Sequence, residues 1–115
     1  MLLDKSEEFG THVGLGIIPG VVEKIAVAGE RIPFIGWKKI NFAKPSGLEG
    51  HSNTYYFVHS YHATPSNHAH LYANYTLANT KITAVIGQDN VMGVQFHPEK
   101  SGDAGLALLK KFTEL

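Results

Sequence analysis

Two apolar runs, Ala84-Val85-Ile86 and Val91-Met92-Gly93-Val94-Gln95-Phe96, flank the turn signal Gly87-Gln88-Asp89-Asn90. Apolar runs rich in β-branched residues, so interrupted, fold as an antiparallel hairpin. A histidine, a proline and a carboxylate follow at once, in Phe96-His97-Pro98-Glu99-Lys100-Ser101. Pro98 fixes φ and has no N–H to donate, so the strand ends there and the turn is stiff. On an extended backbone, residues two apart project from one face about 6 to 7 Å from each other, so His97 and Glu99 can meet side by side. That pairing suits a histidine held by a carboxylate. One imidazole nitrogen bonds to Glu99, which sets the tautomer and stabilises the imidazolium, and the other is free to take a proton. A base of this kind contributes about 100- to 10,000-fold to a rate. The same residues also suit a surface turn whose His and Glu are simply polar.

The rest of the chain reads as strands and loops leading to one helix. Met1 to Phe9 holds helix formers and acidic residues with Gly10 to stop them, and reads as the end of a helix. Gly14, Gly16, Pro19 and Gly20 form a loop. Its Gly-x-Gly lacks the third glycine and following helix of a dinucleotide fingerprint, so no nucleotide role follows. Val21 to Val27 is β-branched and reads as a strand, Ala28-Gly29-Glu30-Arg31 as a turn, and Ile32 to Trp37 as the lead into a strand over Lys38 to Phe42. Ala43 to Thr54, rich in Lys, Pro, Ser, Gly and Asn, is a long loop of the functional or mobile kind.

Tyr55 to Tyr61 is the most strand-like run, and alternation puts Tyr55, Phe57 and His59 on one face and Tyr56, Val58 and Ser60 on the other. A buried aromatic strand with a satisfied histidine accounts for the first set. His62, His68 and His70 crowd a loop, where solvated histidines or a zinc site are the alternatives. The spacing matches no zinc motif and no cysteine completes a set, so no metal is expected. Leu71 to Tyr75 and Lys81 to Ile86 are further strands around an Asn79-Thr80 turn. After Ser101, a residue suited to cap a helix, Leu106, Leu109 and Phe112 recur at helical spacing beside Leu108. Lys110 and Lys111 sit where they complement the dipole, and the leucines are expected to pack on the sheet.

The 115 residues suffice for one modest core, and 43% apolar with 17% charged residues is a globular balance. Net charge is zero and no basic run accumulates, so nothing asks for nucleic acid or an anionic membrane. Zero cysteines exclude a disulfide framework. No apolar stretch of about 18 residues and no leader pattern is present, so a cytoplasmic location is the default expectation.

Phe96-His97-Pro98-Glu99 resembles the histidine and glutamate of the Cys-His-Glu triad of class I glutamine amidotransferases, and Lys100-Ser101 extends the likeness to the glutaminase subunits of imidazole glycerol phosphate synthases of histidine biosynthesis. Ser6-Glu7-Glu8-Phe9-Gly10, Gly14-Leu15-Gly16-Ile17-Ile18-Pro19-Gly20, Ile35-Gly36-Trp37 and Tyr56-Phe57-Val58-His59-Ser60-Tyr61 are similar to those subunits in the same order, over nearly the whole chain. The resemblance implies an α/β fold of class I glutamine amidotransferase type, an open mixed sheet flanked by helices. This chain would be a β-rich C-terminal portion with a final helix, one partial domain over residues 1–115.

It further implies that His97 is the base and Glu99 its orienter, and that glutamine is held around His59, Ser60 and Tyr61. Trp37, Tyr56 and Lys100 would face a cyclase partner with a (β/α)8 barrel in a heterodimer, and no cofactor is called for. Core packing remains the other role for Trp37, and an ordinary exposed turn lysine for Lys100. The family's nucleophile is a cysteine in a Gly-x-Cys-x-Gly elbow, and this chain has no cysteine. The resemblance therefore implies a chain that begins just after the nucleophile and is inactive alone. The alternative is a non-catalytic module that docks on the cyclase.

Overall fold

In the computed structural model of the chain, described over residues 3, 5–6, 12–27, 29–43, 47–49, 53–89 and 91–114, the apolar runs pair into antiparallel hairpins. The first hairpin joins β8 (Leu71–Leu77) to β9 (Thr80–Gln88) through the two residues Ala78 and Asn79. Both have positive φ, 48° and 68°, the backbone whose twist matches that of the flanking strands. β9 then turns into β10 (Val91–Val94), pairing Gln88 with Val91 and Val85 with Val94. The hairpin expected over 84–96 is therefore present, although its ladder stops at Val94. With β5 (Asn41–Phe42) the strands make a four-stranded sheet in the order β10-β9-β8-β5.

A second four-stranded sheet runs β2-β1-β3-β7, from β1 (Lys5–Ser6), β2 (His12–Val13), β3 (Gly20–Lys24) and β7 (Tyr61–Pro65). β1 and β3 pair in parallel, the one parallel ladder among the described residues, so the architecture is mixed as expected. A two-stranded ribbon of β4 (Phe34–Lys39) and β6 (Thr54–His59) joins the two sheets along the chain. Each of its strands changes partner at a single residue. β6 continues through Ser60 into β7, where Ser60 O accepts the Ile25 N–H at 2.9 Å; β4 continues through Ile40 into β5, where the Ile40 N–H donates to Asn53 O at 2.8 Å. One apolar core, with Ile25, Ile40, Tyr55, Phe57, Tyr75, Ile82, Val85, Phe96 and Leu108 buried in it, spans the ribbon and the β8–β9 sheet.

Several expectations need correction. Lys5–Ser6 is a strand, not the end of a helix: pairing with Val21 and Val22 outweighs a weak local helix preference. Leu3 in that stretch is buried; residues 1–2, 4 and 7–9, and residues 44–46 and 50–52 of the long loop, lie outside the described residues, and Leu48 in that loop is buried. The strand expected over Lys38 to Phe42 begins earlier, at Phe34, and breaks at Ile40. The strand expected to reach Val27 stops at Lys24. The final helix, α1 (Gly102–Thr113), forms as expected but seats only one of its leucines, Leu108, in the core. Only Gly105 and Leu108 are buried, while Leu106, Leu109 and Phe112 are exposed. The Lys111 ammonium donates to the Glu49 carbonyl, which pins the last turn.

Candidate active site

The site begins with Phe96, which locks the end of the β9–β10 hairpin into the core. Its ring stacks on Tyr55 at 4.1 Å between centroids and meets Phe57 edge-on at 5.5 Å. His97 follows in extended conformation, and Pro98–Lys100 forms one 3-10 turn: the strand ends in a turn at the proline as expected, but His97 and Glu99 meet across that turn and not along extended backbone. Proline at its first position suits such a turn, because the missing N–H would have had no partner there. The turn brings His97 Nδ1 to 3.1 Å from Glu99 Oε1. With Nδ1–H donating to the carboxylate, Nε2 carries a lone pair, and among the described residues no group bonds to it. The pair is open to solvent, with 42% of the His97 and 57% of the Glu99 side chain exposed.

The turn is held from behind by β6. The His97 N–H donates to Tyr56 O at 3.0 Å, the Tyr56 N–H donates to Ser101 Oγ at 2.9 Å, and the Ser101 hydroxyl donates to His97 O at 2.6 Å. Ser101 is 2% exposed and makes no side-chain cap to α1, so its expected capping role is corrected to that of a strap. The helix presses on the same turn: a Cβ on Gly105 would lie 1.8 Å from Pro98 O, so only glycine allows this approach. Ser101 as strap, Gly105 and Tyr75 below were not singled out from sequence for these roles. Gly105 alone leaves a trace there, as a glycine among good helix formers.

His59, Ser60 and Tyr61 line a cleft of about 490 Å3 with Val58, Pro33 and Gln95. The His59 ring is not a free binding group. It is 7% exposed, donates from Nδ1 to Tyr61 O at 3.0 Å and accepts at Nε2 from the Tyr75 hydroxyl at 2.7 Å. Burial lowers its pKa, the Tyr61 carbonyl opposes that, and positive charge on His62 or His97 lowers it further. Burial raises the Tyr75 phenol, so both groups are neutral, and the bond to the Tyr61 carbonyl fixes the His59 tautomer. Of the three candidate glutamine-binding residues, Ser60 and Tyr61 are the ones whose side chains remain half-exposed.

The histidine-rich stretch is not a solvated loop throughout. His62 lies in β7 opposite Glu23, accepts the Thr83 N–H at Nδ1 (3.3 Å), and has its pKa lowered by burial against the pull of Glu23. His70, in the 3-10 turn His68–His70, donates from Nδ1 to Gly87 O at 3.1 Å. Among the described residues no three His, Asp or Glu gather as metal ligands.

On the outer face of the ribbon, Trp37 sits across from Tyr56 and Ile35 across from Val58. Trp37 is 54% exposed and meets Tyr56 edge-on at 5.6 Å, so core packing is not its role. Lys100 is exposed at the end of the 3-10 turn. Among the described residues no helix is long and apolar enough to cross a membrane.

The His–Glu pair follows the end of β10, at the edge of the antiparallel sheet. The chain belongs to the family of class-I glutamine amidotransferases, whose pattern matches residues 7–114. Within it, the chain is similar to proteins named imidazole glycerol phosphate synthase subunit HisH: 41% identical to that of Chlorobium chlorochromatii over 100% of this chain and 59% of the relative. The Prochlorococcus marinus subsp. pastoris protein is 44% identical over 96% of this chain and 56% of its own length, and the Lactococcus lactis subsp. lactis protein 42% over 99% and 57%. The chain thus spans a little over half the length of these curated relatives.

Proposed function

We propose that the chain supplies the histidine–glutamate part of a glutaminase that releases ammonia from glutamine for imidazole glycerol phosphate synthesis. The observation that carries this reading is the 3.1 Å contact between His97 Nδ1 and Glu99 Oε1, which leaves Nε2 open to a reacting group. His97 Nε2 takes the proton of the thiol, the thiolate adds to the side-chain amide carbon, and His97 gives that proton to the nitrogen as the C–N bond breaks and ammonia leaves. It then takes a proton from water as the thioester is cleaved to glutamate. Glu99 holds the ring and stabilises its charged form. The half-exposed Ser60 and Tyr61 and the backbone of His59 bound the cleft that would hold glutamine. Trp37, Tyr56 and Lys100 face the cyclase barrel that takes the ammonia and completes the lyase reaction, and neither step calls on a cofactor from this chain.

The 115 residues contain no cysteine, so the thiolate must come from a segment outside them. The pure chain is therefore expected not to hydrolyse glutamine, because members of a triad act as a unit. Mixing it with the part of the Lactococcus lactis relative that lies outside its match, and with the cyclase, should restore glutamate release. His97→Ala should cut the restored rate at least about 100-fold. Undiminished hydrolysis by that variant refutes the assignment.

A non-catalytic docking module is the second reading, and the exposed Ile35, Trp37 and Val58, with the half-buried Tyr56 among them, favour it. Binding to the cyclase, lost in Trp37→Ala, without any rescue of glutamine use would select it.

A further inference from the structure

Tyr75, from β8, does not line the cleft of Ser60 and Tyr61, and its side chain is wholly buried. The ring packs on Phe57 at 4.6 Å and on Phe34 at 5.6 Å between centroids. Phenylalanine would meet that packing equally well without burying a hydroxyl, which is costly unless it is bonded. The hydroxyl is spent on one bond, to His59 Nε2 at 2.7 Å.

His59 carries that attachment to the cleft. With Nε2 accepting, its proton lies on Nδ1 and is donated at 3.0 Å to Tyr61 O, two residues further along the chain. Ser60, between them, belongs to neither strand: β6 pairs with β4 up to His59, and β7 pairs with β3 from Tyr61. The wall of the cleft is thus a break between two ladders, held by the Ile25 N–H on Ser60 O and by the His59 ring on Tyr61 O. Burial lowers the pKa of His59 and raises that of Tyr75, so the two bonds keep one proton arrangement across neutral pH. The His97 turn has its own support, in the Tyr56 backbone and Ser101.

We infer that Tyr75 is a positioning residue for the glutamine cleft: through the His59 ring, its hydroxyl holds the Ser60–Tyr61 segment in the shape that receives the substrate. This rests on the amidotransferase reading above. Because Tyr75 lines no part of the cleft and the histidine turn is supported separately, its loss weakens substrate binding and spares the chemistry.

The test is Tyr75→Phe, which keeps the ring and removes the oxygen. On the chain alone, nuclear magnetic resonance of the imidazole nitrogens reports which one carries the proton and whether the other accepts a bond. The unmutated chain should show His59 protonated at Nδ1 and hydrogen-bonded at Nε2, a measurement that needs no variant. In Tyr75→Phe the Nε2 signal should move to that of a free acceptor and the Ser60 and Tyr61 amide signals should shift, while those of Glu99 and Lys100 stay in place. In the mixture of the chain with the unmatched part of the Lactococcus lactis relative and the cyclase, the KM for glutamine should rise at least about fivefold and kcat should change less than about twofold. Ile82→Val, opposite Tyr75 on β9, loosens the same core without touching the bond and should leave KM unchanged. An Nε2 free of any bond in the unmutated chain, unmoved Ser60 and Tyr61 signals, an active mixture in which KM stays level or kcat falls instead, or an equal rise in KM from Ile82→Val overturns the inference. An inactive mixture with the expected resonance shifts leaves the clamp standing and removes the functional reading.

Discussion

Replacing Ser101 with alanine removes one hydroxyl and two hydrogen bonds, and the structure sets what that costs. The Tyr56 N–H loses its acceptor at 2.9 Å, and His97 O loses a donor at 2.6 Å. Ser101 is buried, so water does not readily replace the missing oxygen. Leaving a buried donor unsatisfied costs about 1–3 kcal/mol and a net hydrogen bond is worth about 1, so a loss of roughly 2–3 kcal/mol is expected. For a chain of this size that lowers Tm by roughly 10 °C, read by circular dichroism. Ser101→Asp separates the strap from an ordinary helix cap. A cap tolerates aspartate fully, whereas here an acceptor-only carboxylate cannot donate to His97 O and would be buried, so Asp should be at least as damaging as Ala. An Ala variant that loses less than about 0.5 kcal/mol, or an Asp variant as stable as the parent, refutes the assignment.

Other substitutions test the same framework. Gly105→Ala should destabilise by about 1–3 kcal/mol by denaturant titration, despite the better helix propensity of alanine, because its Cβ meets Pro98 O. Burial lowers the pKa of His59 and His62 below the ordinary 6.5, so the unfolded chain binds more protons as pH falls. Stability should be full above about pH 6.5 and decline below it toward the folded values, as thermal melts across pH 5 to 8 can follow. Ala78→Gly should raise stability by roughly 0.5–1 kcal/mol, because alanine at φ 48° carries a left-handed penalty that glycine lacks.

The parts legible in the sequence were those written in local chemistry. Tyr55, Phe57 and His59 alternate into the core as their order requires, and the β9–β10 turn and the final helix follow from turn formers and apolar spacing. His97 and Glu99 meet, but through a 3-10 turn, because Pro98 favours a helical start as readily as a strand end. What stayed hidden depends on partners far along the chain. Lys5–Ser6 becomes a strand only by pairing with Val21 and Val22, and His62 looks like a loop residue until Glu23 and Thr83 frame it. A serine before a helix looks like a cap whether or not it bonds to a strand 45 residues earlier.

Tyr56 has a double attachment whose consequence is mechanical. Its peptide grips the histidine turn on both sides, while its ring rests against Trp37 on the open side of the ribbon. A body pressed against that aromatic pair is therefore separated from the imidazole by a single stiff residue, with no pliant linker to absorb the load. A shift of the ribbon there is handed on to the turn that carries His97.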